Sequence, residues 1–381
     1  MVPRPFWIDR INQAWETRSI VWLSGVRRVG KTTIAKMLPG IEYLNCDLPS
    51  TQRRIEDPES FFYGLKNVRY LVLDEVHQLE NPSSVLKIAA DEFPELKILA
   101  TGSSTLEATK KFRDALTGRK HVIYLPPVLW NECRQQFDIH NLDHRLFFGG
   151  LPEPLLSRSG DLSFFSEWFD CYYARDIQEL FNVRNRSGFL KLMHLLFRSS
   201  GNLIDYTNLS KLSGLSRPTV LSYLEALRIA NVVFPLTPYH GGGRRELTQQ
   251  PKYYCFDTGF IRFVKGWNEL REEDRGFLWE HLVLDMLRAS IPYPQIFYWR
   301  DKSNREIDFI IKRSGEAVDL IECKINPDHF SGYAVKVFRE SYPLGNNYCI
   351  SPYITKSYSS KRDDLLITFI GDLEEYSAIL I

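Results

Sequence analysis

The feature that most restricts this chain is a junction near its N-terminus. The apolar run Ser19-Ile20-Val21-Trp22-Leu23 leads into Gly25-Val26-Arg27-Arg28-Val29-Gly30-Lys31-Thr32-Thr33, and the helix-like Ile34-Ala35-Lys36-Met37-Leu38 follows. The order predicts strand, G-x-x-x-x-G-K-T loop, helix. Glycines let successive backbone N–H groups wrap phosphates, and the positive end of the helix faces the same anions. ATP is therefore expected against Gly25, Arg27, Arg28, Val29, Gly30, Lys31, Thr32 and Thr33. Lys31 would reach the β and γ phosphates, and Thr32 would hold Mg²⁺ through its hydroxyl.

From about residue 18 to 125, short β-branched runs alternate with longer helical stretches, which predicts a parallel sheet with crossover helices. One of these runs, Arg69-Tyr70-Leu71-Val72-Leu73, ends in Asp74-Glu75. Asp74 is expected to bind Mg²⁺ through water, and Glu75 to polarise the attacking water as general base. Another, Lys97 to Ala100, ends in Thr101-Gly102-Ser103-Ser104. Ser103 is a candidate for sensing the γ-phosphate, while Ser103 and Ser104 suit a helix N-cap equally well.

The chain has 381 residues, 44% hydrophobic and 25% charged, which excludes a mainly disordered polymer and leaves room for two or three domains at roughly 100 to 200 residues each. With a net charge of +1, any nucleic-acid contact must use a local patch rather than bulk charge. No window approaches about 18 consecutive apolar residues, and the N-terminus lacks a secretory apolar run, so a cytoplasmic chain without a membrane partner is expected. Cys46, Cys133, Cys171, Cys255, Cys323 and Cys349 are scattered without zinc spacing and are expected reduced and buried.

Two families share a phosphate loop followed by an acidic strand end. Asp74-Glu75-Val76-His77 is like the DExH helicases, but nothing beyond residue 130 reads as their second motor. The compact order of phosphate loop, acidic strand, Thr101-Gly102-Ser103-Ser104, Leu116-Thr117-Gly118-Arg119 and a strand ending Leu125-Pro126-Pro127 resembles the AAA+ ATPases, and within them the family that carries an uncharacterised C-terminal domain. The resemblance implies that Arg119 stabilises charge on the transferring phosphoryl group of a neighbouring subunit, hence a homo-oligomer; outside it, Arg119 is a surface arginine.

Residues 207 to 229 read as helix-turn-helix: Leu209 and Leu212, a turn at Gly214, a cap at Ser216 with Pro218 in the first turn, then Leu215, Val220, Leu224 and Leu227. Two following strands and the Gly241–Gly243 turn complete a winged helix. Lys211, Arg217, Arg228, Arg244 and Arg245 against Glu225 and Glu246 leave a modest positive excess. DNA contact through Arg217, Ser222 and Arg244 and a purely packing role both fit this pattern.

The last third carries Glu280 in a long helix, Asp308 in one strand and Glu322-Cys323-Lys324 closing the next. Alternation puts Glu322 and Lys324 on one strand face, with Asp308 available from a neighbouring strand. Two carboxylates for a divalent ion and a lysine for developing charge suit phosphodiester hydrolysis. The order helix Glu, strand Asp, strand E-x-K resembles the PD-(D/E)xK nucleases, although Ile307 stands where that superfamily's proline would be. The resemblance implies metal ligation by Glu280, Asp308 and Glu322 and catalysis by Glu322 and Lys324. A nuclease-like fold that only binds remains the alternative. His281 reads as packing or solvated, and Trp299 and Arg300 as either a cross-strand pair or a stacking surface for nucleic acid.

The expected architecture is α/β: an AAA+ type P-loop NTPase core over 1–130, a helical lid over 131–185, a winged helix over 186–258 and a nuclease-like α/β domain over 259–381. The expected activity is Mg²⁺-dependent ATP hydrolysis coupled to a DNA-directed module, either endonucleolytic or a nucleotide-gated scaffold without turnover.

Overall fold

A computed structural model describes residues 2–102, 106, 109–157, 162–177, 185–240, 250–291, 295–313 and 315–371. Ser103, Ser104, Arg244, Arg245 and the Gly241–Gly243 turn lie outside the described residues. The first five strands are β1 (Ile20–Ser24), β2 (Ile41–Asn45), β3 (Tyr70–Asp74), β4 (Lys97–Thr101) and β5 (Lys120–Tyr124). They form one sheet in the order β2-β3-β4-β1-β5, every pair parallel. Parallel pairs need crossovers, and the helices that make them cover both faces. That is why β1 is buried at every residue. Alternate residues serve opposite faces: Val21, Leu23, Val72 and Leu99 join one core cluster, while Ile20, Trp22, Leu71, Leu73 and Ala100 join the other.

Before β1, the helix Pro5–Thr17 buries Trp7, Ile11, Ala14 and Trp15, one stripe at helical spacing. After β5, short helices follow at Trp130–Gln135, Leu142–Phe148, Pro152–Leu156 and Ser163–Tyr172. The expected boundary after residue 130 falls inside the first of them.

A middle unit comprises the helix Arg186–Arg198, β6 (Asn202–Leu203), the helices Tyr206–Ser213 and Arg217–Ile229, and β7 (Val233–Leu236) and β8 (Lys252–Cys255), with an antiparallel sheet ordered β6-β8-β7. The turn between the two short helices uses Gly214 at φ +72°, in the left-handed region. Ser216 caps the second helix by accepting the Thr219 amide at 3.3 Å.

The helices Thr258–Lys265 and Glu272–Ser290 lead to a six-stranded mixed sheet of β9 (Ile296–Arg300), β10 (Glu306–Lys312), β11 (Val318–Cys323), β12 (Asn347–Ile350), β13 (Tyr358–Arg362) and β14 (Leu365–Ile370), ordered β13-β14-β12-β11-β10-β9. One cluster of buried hydrophobics extends from Trp7 to Ile370, so the units share a core. All six cysteines are free and five are buried, the exception being half-buried Cys171. Among the described residues no helix is long and apolar enough to cross a membrane.

Candidate functional site

Parallel register brings three strand ends together: Leu23 pairs with Thr101, Leu73 with Ala100 and Asn45 with Asp74. Asp74 is 2% exposed. Burying a carboxylate is costly without donors, and three hydroxyls supply them. Thr32 and Tyr43 donate to Oδ2 at 2.9 and 2.6 Å, and Thr101 donates to Oδ1 at 2.5 Å. Thr101 Oγ1 also accepts the Glu75 amide at 3.0 Å, so one buried hydroxyl ties the two acidic residues together. Thr32 and Asp74 are hard oxygen donors in contact with each other, which is the donor chemistry that Mg²⁺ takes, and they fit it.

Glu75 stands at φ +57° and ψ +43°. A non-glycine residue there costs about 1–2 kcal/mol. The side chain it aims outward meets His77 Nδ1 at 3.2 Å. The loop itself turns at Gly25 (φ +151°), Arg28 (φ +64°) and Gly30 (φ +104°). A Cβ on Gly25 would sit 2.6 Å from the Leu125 carbonyl oxygen, so only glycine lets the loop approach the chain leaving β5. Lys31 Nζ donates to the carbonyls of Gly25 and Val26 at 2.8 and 3.1 Å.

A second group of charges lies between the Glu272–Ser290 helix, β8, β10 and β11. The β10–β11 register pairs Phe309 with Ile321, and one further step sets Asp308 level with Glu322. Asp308 Oδ2 accepts the Cys323 amide at 2.7 Å. Lys324 Nζ donates to Glu322 Oε2 at 2.7 Å and lies 3.9 Å from Asp308. Glu280 Oε1 accepts the Tyr254 hydroxyl at 2.5 Å. Lys252 Nζ reaches Glu306 at 2.5 Å and Glu280 at 3.5 Å. Sequence reasoning missed Lys252, Tyr254 and Glu306, as it missed Tyr43 and the full part played by Thr101.

Burial first, and the nearby Asp308 charge second, push the Glu280 carboxyl up to about 7 and that of Glu322 up to about 8. For Lys252 and Lys324 burial works toward a lower pKa, but the surrounding carboxylates outweigh it and hold both ammoniums well above the ordinary lysine value. Glu322 Oε1 is buried without a hydrogen-bond partner. Glu280, Asp308 and Glu322 thus belong to one group of interacting charges, yet among the described residues no group of three or more His, Cys, Asp or Glu stands close enough to hold a metal ion. The arrangement does not fit a divalent ion, because Lys252, an ammonium beyond the one lysine that the hydrolytic set calls for, already occupies Glu280 and Glu306.

Residues 17–134 match a family described as an AAA domain. Residues 139–271 and 275–365 match two domains of unknown function, DUF8612 and DUF4143. Among similar proteins, an uncharacterized protein of Mycobacterium tuberculosis is 26% identical over 320 residues, covering 80% of this chain and 70% of the relative. An uncharacterized protein of Haemophilus influenzae is 22% identical over 353 residues, covering 83% and 85%. Of solved structures, a Walker-type ATPase of Pyrococcus abyssi aligns at a TM-score of 0.44 and 16% identity, covering 70% of this chain and 96% of that one. RuvB of Thermotoga maritima aligns at 0.29 and 15%, covering 61% and 89%.

The phosphate loop is clasped by segments from before and after the first sheet. Arg4 forms a two-pronged ion pair with buried Glu132, 2.7 Å on each side, and its remaining nitrogen meets the Val29 carbonyl of the loop at 3.3 Å. Trp168 donates its indole N–H to the Arg27 carbonyl at 3.2 Å, and the Arg28 guanidinium lies over Phe164. Asn231 of the middle unit donates to Ser24 at 3.3 Å.

Arg119 is paired within its own chain, its Nε and second guanidinium nitrogen meeting Asp91 at 2.5 and 3.0 Å. It directly precedes β5, the edge strand beside β1, and so lies at the opposite end of the strands from the phosphate loop. Arg217 and Ser222 are exposed on the helix Arg217–Ile229. His281 is fully buried and shares a 2.8 Å hydrogen bond with Ser200, the packing alternative rather than the solvated one. Trp299 packs edge-on against Phe338 at 5.5 Å, as a structural aromatic does.

Proposed function

We propose that this chain is a Mg²⁺-dependent ATP-hydrolysing switch that acts on DNA and carries a nuclease-like C-terminal module used for binding rather than cleavage. The observation that carries the ATPase part is the Thr32–Asp74–Thr101–Glu75 chain of contacts beside Lys31. Lys31 leaves the Gly25 and Val26 carbonyls to meet the β and γ phosphates. Asp74 and Thr32 would hold Mg²⁺, which when bound neutralises charge on the phosphate oxygens. Glu75, presented outward by its left-handed backbone, polarises water. Arg119 of a neighbouring copy of this chain meets the transferring phosphoryl group once it exchanges Asp91 for that charge.

The middle unit has the element order of a winged helix, and its exposed Arg217 and Ser222 support contact with a DNA backbone or groove. Reading the six-stranded sheet as nuclease-like rests on Asp308 standing level with Glu322 and on Lys324 bridging both. The intruding Lys252 favours binding over cleavage. The test is ATP affinity and turnover with and without duplex DNA. Lys31→Ala should lose nucleotide binding, and Glu75→Gln should bind ATP but nearly stop turning over. Wild-type turnover in Glu75→Gln removes Glu75 as the base, and a chain that binds no ATP ends the reading.

A further inference from the structure

The C-terminal pocket draws one of its central charges from outside its own sheet. Lys252 belongs to β8, the central strand of the middle unit, where it pairs with Leu203 on one side and Leu236 on the other. It is only 3% exposed, so it is not a surface lysine that swings in by chance. Strand alternation sends Lys252 and Tyr254 to the same side. From there the ammonium bridges Glu306 and Glu280, and Tyr254 takes the same Glu280 oxygen. The Tyr298 ring, 5.5 Å from the ammonium, closes its remaining side.

Lys324 neutralises the other half of the pocket, between Glu322 and Asp308. A divalent cation asks for several oxygens converging at once. Here Glu280 and Glu306 meet the Lys252 ammonium and Glu322 meets that of Lys324, while Glu322 Oε1 is buried without a hydrogen-bond partner; among the described residues no group of three or more His, Cys, Asp or Glu stands close enough to hold a metal ion.

The structure assigns Lys252 the place of a cation: the middle unit plugs the C-terminal carboxylate pocket with its ammonium and so excludes a divalent metal ion. This deepens the reading of the six-stranded sheet as nuclease-like and rests on it. The plug is a covalent part of the unit that also touches Ser24 beside the phosphate loop, so metal access to the pocket depends on where the middle unit sits.

The experiment measures Mn²⁺ bound to the nucleotide-free full chain by electron paramagnetic resonance of the free ion. Wild type should show no Mn²⁺ site that Asp308→Asn removes. Lys252→Met should gain one site, at least about tenfold tighter than anything in wild type, and Asp308→Asn in that background should abolish it. Lys252→Gln, which keeps a polar head between Glu280 and Glu306, replaces the methionine variant should that one fail to fold. A wild-type site lost in Asp308→Asn, or a folded Lys252 variant that gains no Mn²⁺, overturns the assignment. Because the readout is cation binding, a failure of ATP turnover would strike the proposed ATPase alone.

Discussion

The hydroxyl of Thr101 offers a direct way to test whether the acidic strand end works as a unit. It is fully buried, donates to Asp74 and accepts from the Glu75 amide. Thr101→Val keeps the shape and removes both bonds. Losing a bond to an ionised carboxylate costs about 1.5–3 kcal/mol and one to a backbone amide about 1, so the fold should lose roughly 2.5–4 kcal/mol. Asp74 keeps the Thr32 and Tyr43 hydroxyls, which places the loss toward the lower figure. Melting followed by circular dichroism should fall by roughly 5–10 °C, at about 2–4 °C per kcal/mol for a domain of 150–250 residues. Catalysis should suffer separately. Glu75 holds a left-handed backbone against about 1–2 kcal/mol of strain, and the Thr101 contact is one of its restraints. Freed from it, turnover should drop by about tenfold, the equivalent of ~1.4 kcal/mol in the barrier. ATP affinity should stay within about threefold, because Lys31 and the glycines do not touch Thr101. A variant that melts with wild type and hydrolyses at the wild-type rate would refute the claim that Thr101 joins the two acids.

Asp285 is 2% exposed, lies 3.9 Å from Arg288, and has one oxygen without a hydrogen-bond partner. Burial pushes its carboxyl from near 3.8 up to about 7. Between those values the folded chain holds a proton that the unfolded chain has lost, so this group favours folding increasingly as pH falls through 7. Above 7 both states are ionised and the fold carries a penalty of ~4 kcal/mol. Asp285→Asn should therefore raise stability at pH 8 in urea titrations and change little near pH 4; destabilisation at pH 8 would contradict it. For Arg119, alanine should leave ATP affinity intact while turnover falls, and mixing Arg119→Ala with wild-type chains should depress activity more than dilution does. A fully active monomer by light scattering would exclude the trans role.

The sheet and its phosphate-loop end were legible as structure because their signals are local. The β1 strand, its loop and its helix are contiguous, and the apolar run of β3 ending in Asp74-Glu75 reads the same in one dimension as in three. What stayed hidden was set by strand order. Placing β4 between β1 and β3 is what brings Thr101 against Asp74, and placing β2 beyond β3 brings Tyr43 there. No pattern within either segment announces the neighbour. The side chain that ends β4, Thr101, is the one that meets the carboxylate.

The C-terminal pocket shows the same limit more sharply. Asp308, Glu322 and Lys324 lie on adjacent strands of one hairpin, so period-2 alternation and a short turn suffice to bring them together. Lys252 arrives from a strand in another unit, and its partner Glu306 lies two residues from Asp308 on the same strand. In the sequence that lysine is one cation opening an aromatic run, in a strand that follows the helix-turn-helix. Only the packing of β8 against the Glu272–Ser290 helix converts it from a surface charge into a buried one, where its partners must be acids for it to remain ionised. The residues that name a chemistry can therefore be found by spacing, whereas the residue that decides whether the chemistry is open is fixed by tertiary packing. Here that residue is carried by the unit that bridges the five-stranded sheet and the carboxylates.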